Sequence, residues 1–142
     1  MDTVHKLLET KGREVWSIGP DASVFEAIEL MAEKGCGALL VMDGRELAGI
    51  ISERDYARKV ILTGRSSRST RVREIMSAPV VTADPSHKVE QCLSMMTDKR
   101  IRHLPITDAG KVVGMVSIGD LVKAIIAEQK FLIAQLEEYI KQ

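Results

Sequence analysis

The chain has 142 residues, enough for one globular domain or for two small units that share a core. Lys and Arg together number 20 and so do Asp and Glu, so no net charge draws the protein to nucleic acid or to a membrane. No apolar run approaches the roughly 20 residues that span a bilayer, and the start, MDTVHKLLETKG, lacks the apolar core of a signal peptide. The two cysteines, Cys36 and Cys92, occupy unrelated positions, which favours a reducing compartment and predicts a cytoplasmic protein.

The chain contains an internal duplication. A shift of 65 positions superposes residues 15–61 on residues 80–126 without a gap. The identical pairs include Pro20/Pro85, Val24/Val89, Met31/Met96, Leu39/Leu104, Asp43/Asp108, Gly49/Gly114, Ser52/Ser117 and Asp55/Asp120. A repeat of this length predicts two copies of one small structural unit.

Each copy predicts the element order β-α-β-β-α. A short strand ends at a proline, and a helix follows whose apolar residues recur at three-and-four spacing. Two strands joined by a short turn predict a hairpin, GALLVMD with LAGIIS and RHLPITD with VVGMVS. A closing helix begins at the serine of GIISERD or GMVSIGD. Because a unit of about 50–60 residues buries its apolar surface poorly alone, we expect the two to pack sheet to sheet.

A basic linker, residues 64–74, separates the two copies and is rich in Ser, Gly and Arg. A solvated loop is the commoner structure for such a run. Arg58 and Arg73 are nevertheless candidates to fold back onto a bound phosphate.

The last helix continues beyond the second copy, as a C-terminal extension over residues 128–142. One stripe of this helix is apolar and comprises Ile125, Leu132, Leu136 and Tyr139 or Ile140. The stripe is expected to pack against the N-terminal segment (Val4, Leu7 and Leu8) or against a second subunit, and a homodimer fits it well.

The repeated Ser-x-x-Asp motif has two interpretations. A serine followed three residues later by an acid is a capping box that closes the start of a helix. Alternatively, the free N–H groups at a strand-to-helix junction favour an anion, and a carboxylate there can accept hydrogen bonds from a ribose diol. Gly49 and Gly114 precede the motif on the strand, where a missing side chain would let a flat ligand approach. One motif can do both.

Several motifs together resemble the cystathionine β-synthase (CBS) domain pair, or Bateman module. They are the duplicated unit, IMSAPVVTADP, RIRHLPI and the two G-x-x-S-x-x-D endings, and the resemblance spans about residues 13–127. It is closest to the stand-alone CBS pairs of bacteria and organelles. It implies an α/β (α+β) fold of two β-α-β-β-α repeats, residues 13–63 and 75–127, packed with pseudo-twofold symmetry, plus an N-terminal segment and the C-terminal helix extension.

The resemblance also implies a ligand. The family binds adenosine compounds such as AMP, ADP, ATP, S-adenosylmethionine and NAD in clefts between the paired repeats, so a regulatory adenine nucleotide is expected and no cofactor is required. By this likeness Asp55 and Asp120 bind the ribose, and Ser52 and Ser117 lie near the phosphate. The adenine is expected beside Ser17, Ile18, Thr82 and Ala83, between apolar walls formed by Ile50, Ile51, Met115 and Val116. Pro105 is also expected among the nucleotide-binding residues.

The two sites are expected to differ. Arg102 and His103 match the basic pair that several family members use for phosphate, although His103 is as readily an ordinary strand histidine. The first repeat has glycine and alanine there, and Arg54 is the candidate that compensates. We therefore expect one cleft that favours a phosphate and a second that takes another ligand or stays empty.

The motifs of common enzymes are not found in the sequence. It has no phosphate-binding loop, no nucleophile elbow and no metal-ligand spacing, so we expect no enzyme. The leading hypothesis is a regulatory module that senses an adenine nucleotide and acts on its own assembly or on an unidentified regulated protein. The alternative is a structural dimerisation module whose motifs only cap helices. Nucleic-acid binding through residues 65–73 lacks stacking aromatics nearby.

Overall fold

The computed structural model describes residues 2–141 and divides the chain into two compact units. The first-repeat unit is Glu14–Val81, and the second-repeat unit combines the N-terminal residues up to Arg13 with the residues from Thr82 onward. This division differs from the boundaries expected from the sequence. The N-terminal segment belongs with the second repeat, and the linker expected at residues 64–74 belongs with the first.

Apart from the first strand of the second repeat, which does not form, the elements of the two repeats follow the order that the sequence predicts. In chain order they are α1 (Val4–Lys11), β1 (Ser17–Ile18), α2 (Val24–Lys34), β2 (Ala38–Asp43), β3 (Glu46–Ser52), α3 (Glu53–Tyr56) with a π-helical turn (Ala57–Ile61), α4 (Val72–Ile75), α5 (Val89–Lys99), β4 (His103–Asp108), β5 (Lys111–Ser117) and α6 (Ile118–Lys141). The tandem α+β architecture expected from the duplication is confirmed.

The first-repeat unit is built on a sheet of order β1-β2-β3, in which β1 is parallel to β2 and β2 is antiparallel to β3. Its core is aliphatic because α2 presents one apolar face to the inner side chains of the sheet. The buried residues of this core are Val24, Ala27, Met31, Leu39, Val41, Ile51, Val60, Val72 and Ile75. Val72 and Ile75 come from α4, which explains why the expected linker is part of this unit.

The second repeat does not form the first strand that the sequence predicts for it. In the first repeat the N–H of Leu40 donates to Trp16 O at 3.0 Å. The position equivalent to Leu40 is Pro105, which has no N–H to donate, so this ladder bond is lost. What remains is a single bridge between Ala83 and Ile106 beside the β4–β5 hairpin.

Residues from outside the sheets fill the space above two glycines. A Cβ built on Gly114 would lie 2.8 Å from Cδ2 of Leu8, a buried residue of α1. A Cβ built on Gly49 would lie 2.6 Å from Sδ of Met76, the residue that follows α4. The expectation that these glycines let a flat ligand approach is therefore wrong. Gly114 lets helix α1 pack closely on its strand, and Gly49 lets the segment after α4, Met76 and Ser77, do so.

The C-terminal helix α6 is 24 residues long. Of its residues only Leu121 is fully buried, and most of the large apolar side chains after it are exposed. Leu7 of α1 and Leu132 of α6 line a shared cavity of about 490 Å³. The N-terminal segment therefore lies beside one side of α6. Within residues 2–141, none of the helices has the length and apolar character needed to cross a membrane.

Candidate functional site

The Ser-x-x-Asp motifs begin the two closing helices as capping boxes. The Asp55 N–H donates to Ser52 Oγ at 3.2 Å, and the Ser52 N–H donates to Asp55 Oδ2 at 2.9 Å. At α6 the equivalent distances are 3.1 Å from Asp120 N to Ser117 Oγ and 2.8 Å from Ser117 N to Asp120 Oδ2. The capping interpretation is confirmed for both copies, since each pair satisfies helix N–H groups that have no partner within the helix.

The second motif has basic residues beside it. The Ile118 N–H donates to Arg102 O at 2.9 Å, which holds Arg102 at the start of α6 with its side chain exposed. His103 is half-buried and lies opposite Ser117 in the β4–β5 register. The structure therefore brings Arg102, His103, Ser117 and Asp120 together.

The first motif has the same backbone but no such cations on the strand. The Glu53 N–H donates to Gly37 O at 3.0 Å, and Ala38 lies opposite Ser52. Arg54, the candidate for compensation, lies in the first turn of α3. Two like motifs thus stand in different surroundings.

Asp55 is almost enclosed by partners from its own unit. Its side chain is 11 % exposed, and Lys59 Nζ lies 3.1 Å from Oδ1. The hydroxyl of Ser77 also donates to Oδ1, at 3.3 Å, and that of Ser52 donates to Oδ2, at 3.0 Å. Both carboxylate oxygens are engaged, so a ribose would have to displace an internal partner.

Asp120 is more accessible, with its side chain 23 % exposed. Its Oδ2 lies 2.7 Å from Nζ of Lys11, the last residue of α1, and also accepts the Ser117 N–H. Burial raises the pKa of this carboxyl, but the hydrogen bond from Lys11 and those from Ser117 outweigh burial, so the pKa falls below its usual value. Asp120 is therefore ionised at neutral pH.

Lys11 is a residue of this site that the sequence pattern does not reveal. Its ammonium also donates to Met115 O, so it ties α1 to both β5 and α6. Lys11 precedes the repeat, where no internal alignment constrains its position, and nothing in the segment VHKLLETK distinguishes it from a surface lysine.

We expect Lys11→Met to reduce stability at pH 7 by about 0.5–1 kcal/mol, the range of a partly exposed ion pair. The folded-state pKa of Asp120 is lowered, so the contribution is complete above the unfolded value of about 3.8 and is lost as the pH falls below it. Urea denaturation at pH 7, 4 and 2.5 measures the free energy of unfolding of the variant and of the native protein. The difference between the two values should become smaller toward acid pH.

Lys6→Met is the matched control for this experiment. Lys6 lies on the same helix and pairs with Asp2 at 3.6 Å, but both side chains are more than half exposed. It should change stability little at any pH. A Lys11→Met effect that stays constant down to pH 2.5 would contradict the coupling to the Asp120 carboxylate.

Two of the four residues expected to form apolar walls of the ligand site are buried in the protein cores instead. Ile51 and Val116 are 0 % exposed and point into the cores, because side chains alternate along a strand and the neighbouring positions face outward. Ile50 and Met115 are half-buried and are the only two of the four with accessible side chains.

The residues expected around the adenine, together with Pro105, fall into two groups. Ser17 is exposed and Ile18 half-buried on β1, and Thr82 is half-buried. Ala83 and Pro105 are buried, and their backbones bond to each other through the Ala83 N–H and Pro105 O at 3.1 Å. The contacts of the four β-strand and loop residues with adenine, and that of Pro105 with the nucleotide, remain predictions.

The basic linker is occupied by ion pairs within the first-repeat unit. Arg73 Nη2 lies 2.6 Å from Asp21 Oδ1, and its Nε donates to the same oxygen at 2.8 Å. Arg65 similarly pairs with Glu74. The structure therefore places Arg73 on a carboxylate instead of on a phosphate site, whereas Arg58 is exposed on the π-helical turn.

Comparison with known proteins gives consistent matches. The family model of the CBS domain matches residues 11–62 and 72–127. A mitochondrial CBS domain-containing protein of Arabidopsis thaliana is 40 % identical over 98 % of this chain and 72 % of its own length.

Solved structures of other proteins with CBS domains have the same fold as this chain. A protein with CBS domains from Burkholderia ambifaria is 52 % identical with a TM-score of 0.86, over 90 % of this chain and 96 % of that one. A CBS domain pair crystallised with 5′-methylthioadenosine and S-adenosyl-L-methionine has a TM-score of 0.78, over 90 % of this chain and 98 % of its own. It is 23 % identical to this chain, a likeness that concerns the fold alone.

Proposed function

The chain belongs to the CBS domain family, and on that premise we propose that it is a regulatory module that binds an adenine nucleotide beside the second Ser-x-x-Asp motif. The nucleotide would be AMP, ADP, ATP or NAD. Its binding would modulate either a partner protein or the assembly of the chain itself.

The observation that carries this proposal is the environment of Asp120. This carboxylate is ionised, partly exposed and held by the capping box in a fixed orientation at the start of a long helix. A carboxylate in this state can accept the two hydroxyl hydrogens of a ribose. Asp55 carries the same motif, but both its carboxylate oxygens already accept hydrogen bonds from other residues of the protein. We therefore assign the nucleotide to the second motif.

The phosphate preference rests on Arg102. Its side chain is exposed at the N-terminus of α6, where the helix dipole and a guanidinium act on an anion in the same direction. The first motif has Gly37 in the equivalent position. A phosphorylated adenosine is therefore favoured over adenosine itself.

A thermal unfolding screen tests this proposal. At a concentration about 100 times its Kd, a ligand stabilises a protein by about 2.7 kcal/mol, which raises the Tm of a chain of this size by roughly 5–10 °C. We expect such shifts for AMP or another adenine nucleotide at millimolar concentration, and smaller ones for adenosine. GMP, which has the same ribose phosphate and a different base, is the control.

Two results would contradict the proposal. If none of the adenine compounds shifts the Tm, the structural dimerisation module becomes the better description. If GMP shifts the Tm as much as AMP does, the site recognises a ribose phosphate and not adenosine.

The cellular setting belongs to the same proposal. We propose a regulatory role in place of a catalytic one because the sequence carries none of the motifs that enzymes use on nucleotides. The two free cysteines favour a reducing compartment, and we propose the cytoplasm, although the Arabidopsis relative is described as mitochondrial.

A further inference from the structure

The carboxylate of the first Ser-x-x-Asp motif has a lysine from its own helical segment. Lys59 follows Asp55 by four residues, and its ammonium lies 3.1 Å from Asp55 Oδ1. The same ammonium donates to Ile75 O at 2.9 Å. Because residues four positions apart on a helix are neighbours, this ion pair is part of the local structure of the segment.

The carboxylate of the second motif takes its lysine from outside the repeat. The position equivalent to Lys59 is Ala124, which carries no charge. Instead the ammonium of Lys11, at the end of α1, lies 2.7 Å from Asp120 Oδ2 and also donates to Met115 O. The side chain of Lys11 is 33 % exposed. This contact therefore joins two separate elements at the protein surface, and it can break while the helix that carries Asp120 stays folded.

Lys11 occupies a place that a ribose needs. A carboxylate oxygen has two lone pairs, and Oδ2 of Asp120 already has two donors. One is the Ser117 N–H at 2.8 Å, which belongs to the helix cap and is fixed by the backbone. The other is the ammonium of Lys11, which is carried by a flexible side chain. A ribose that donates one hydroxyl to each carboxylate oxygen must therefore replace Lys11 at Oδ2.

We propose that Lys11 and the ribose of the nucleotide compete for Asp120, so that nucleotide binding frees the end of α1. This inference rests on the proposed function, because it concerns the same carboxylate. Lys11 then lowers the affinity for the nucleotide and reduces the benefit of the hydroxyl that faces Oδ2.

The competition makes α1 responsive to the ligand. Coupling between two binding events is reciprocal, so the nucleotide weakens the attachment of the end of α1 by the same factor by which Lys11 weakens the nucleotide. The middle of the helix stays in place, because Leu8 is 0 % exposed and packs over Gly114. Release is therefore confined to the last turn of α1 and the residues after it.

Calorimetric titration of the native chain and of Lys11→Met tests the competition. The ligands are AMP, 2′-deoxy-AMP and 3′-deoxy-AMP, which differ only in the ribose hydroxyls. In the native chain, loss of the hydroxyl that faces Oδ2 should cost little affinity, because Lys11 keeps its ion pair when that hydroxyl is missing. In Lys11→Met the same loss should cost about two- to fivefold more, the factor that corresponds to a partly exposed ion pair.

The comparison of hydroxyls removes the effect of the lysine's charge on the phosphate. All three ligands carry the same phosphate, so its attraction to Lys11 cancels when the cost of each hydroxyl is compared between the two proteins. Lys6→Met is the matched control, because Lys6 lies on the same helix and pairs with Asp2 at 3.6 Å. All three affinities of this variant should equal those of the native chain.

Two results of the titrations are decisive. If AMP binds and each hydroxyl contributes equally in the native chain and in Lys11→Met, the competition is overturned and the proposed function stands. If AMP binds neither protein, both proposals are overturned.

Hydrogen exchange measures the release of α1. The Gly12 N–H donates to Leu8 O at 2.7 Å and closes the end of the helix. In the native chain AMP should make this amide and those of the last turn exchange about two- to fivefold faster through local opening. In Lys11→Met, where the contact is already lost, AMP should leave their exchange unchanged. Slower exchange of these amides in the native chain with AMP would overturn the competition, since ligand and α1 would then stabilise each other.

Discussion

Replacing Asp120 with asparagine is expected to weaken AMP binding at least tenfold with only a small change in Tm. A hydrogen bond to a charged group contributes about 1.5–3 kcal/mol, and asparagine loses the charge while its amide also turns a donor toward the ribose. The amide oxygen still accepts the Ser117 N–H, so the helix cap is kept. Isothermal titration calorimetry at fixed salt concentration measures the affinity.

Two matched variants make this result specific. Asp108→Asn removes the same charge from an exposed position at the end of β4 and should leave AMP affinity unchanged. Asp55→Asn should affect AMP binding less and stability more, because its carboxylate is nearly buried and holds Lys59 and Ser77. Native AMP affinity in Asp120→Asn beside a lowered Tm would mean that Asp120 is only a helix cap.

Truncation of Leu8 to alanine should destabilise the protein by about 2–5 kcal/mol. Leu8 is 0 % exposed, and its side chain occupies the space that Gly114 leaves open above β5. Removal of a buried leucine loses its transfer free energy and leaves a cavity, which a neighbouring glycine cannot fill. Urea denaturation followed by circular dichroism gives the change in the free energy of unfolding.

Leu7→Ala is the control within the same helix. Leu7 is half-buried and lines the cavity between α1 and α6, so its loss should cost about 1 kcal/mol. Equal effects of the two substitutions would contradict the conclusion that α1 is an integral part of the second-repeat core. Equal effects would mean that α1 only lies on the surface of the second-repeat unit.

Much of the fold and part of the candidate site can be predicted from the sequence alone. The duplication, the order of strands and helices, and the helix starts at Ser52 and Ser117 are local properties, because they depend on residues within a few positions of each other. The difference between the two motifs was also visible, since Arg102 stands where the first repeat has Gly37. Family membership follows from these same patterns.

Other features were decided only by the tertiary structure. Leu8 and Met76 are distant in sequence from the glycines they cover, and Lys11 is more than 100 residues from its partner Asp120. The loss of a ladder bond at Pro105 required knowledge of which strand lies beside it. Gly49 and Gly114 show the physical reason. A glycine on a strand indicates that something approaches the backbone closely. Whether a ligand or another segment of the chain does so depends on how distant parts of the chain pack.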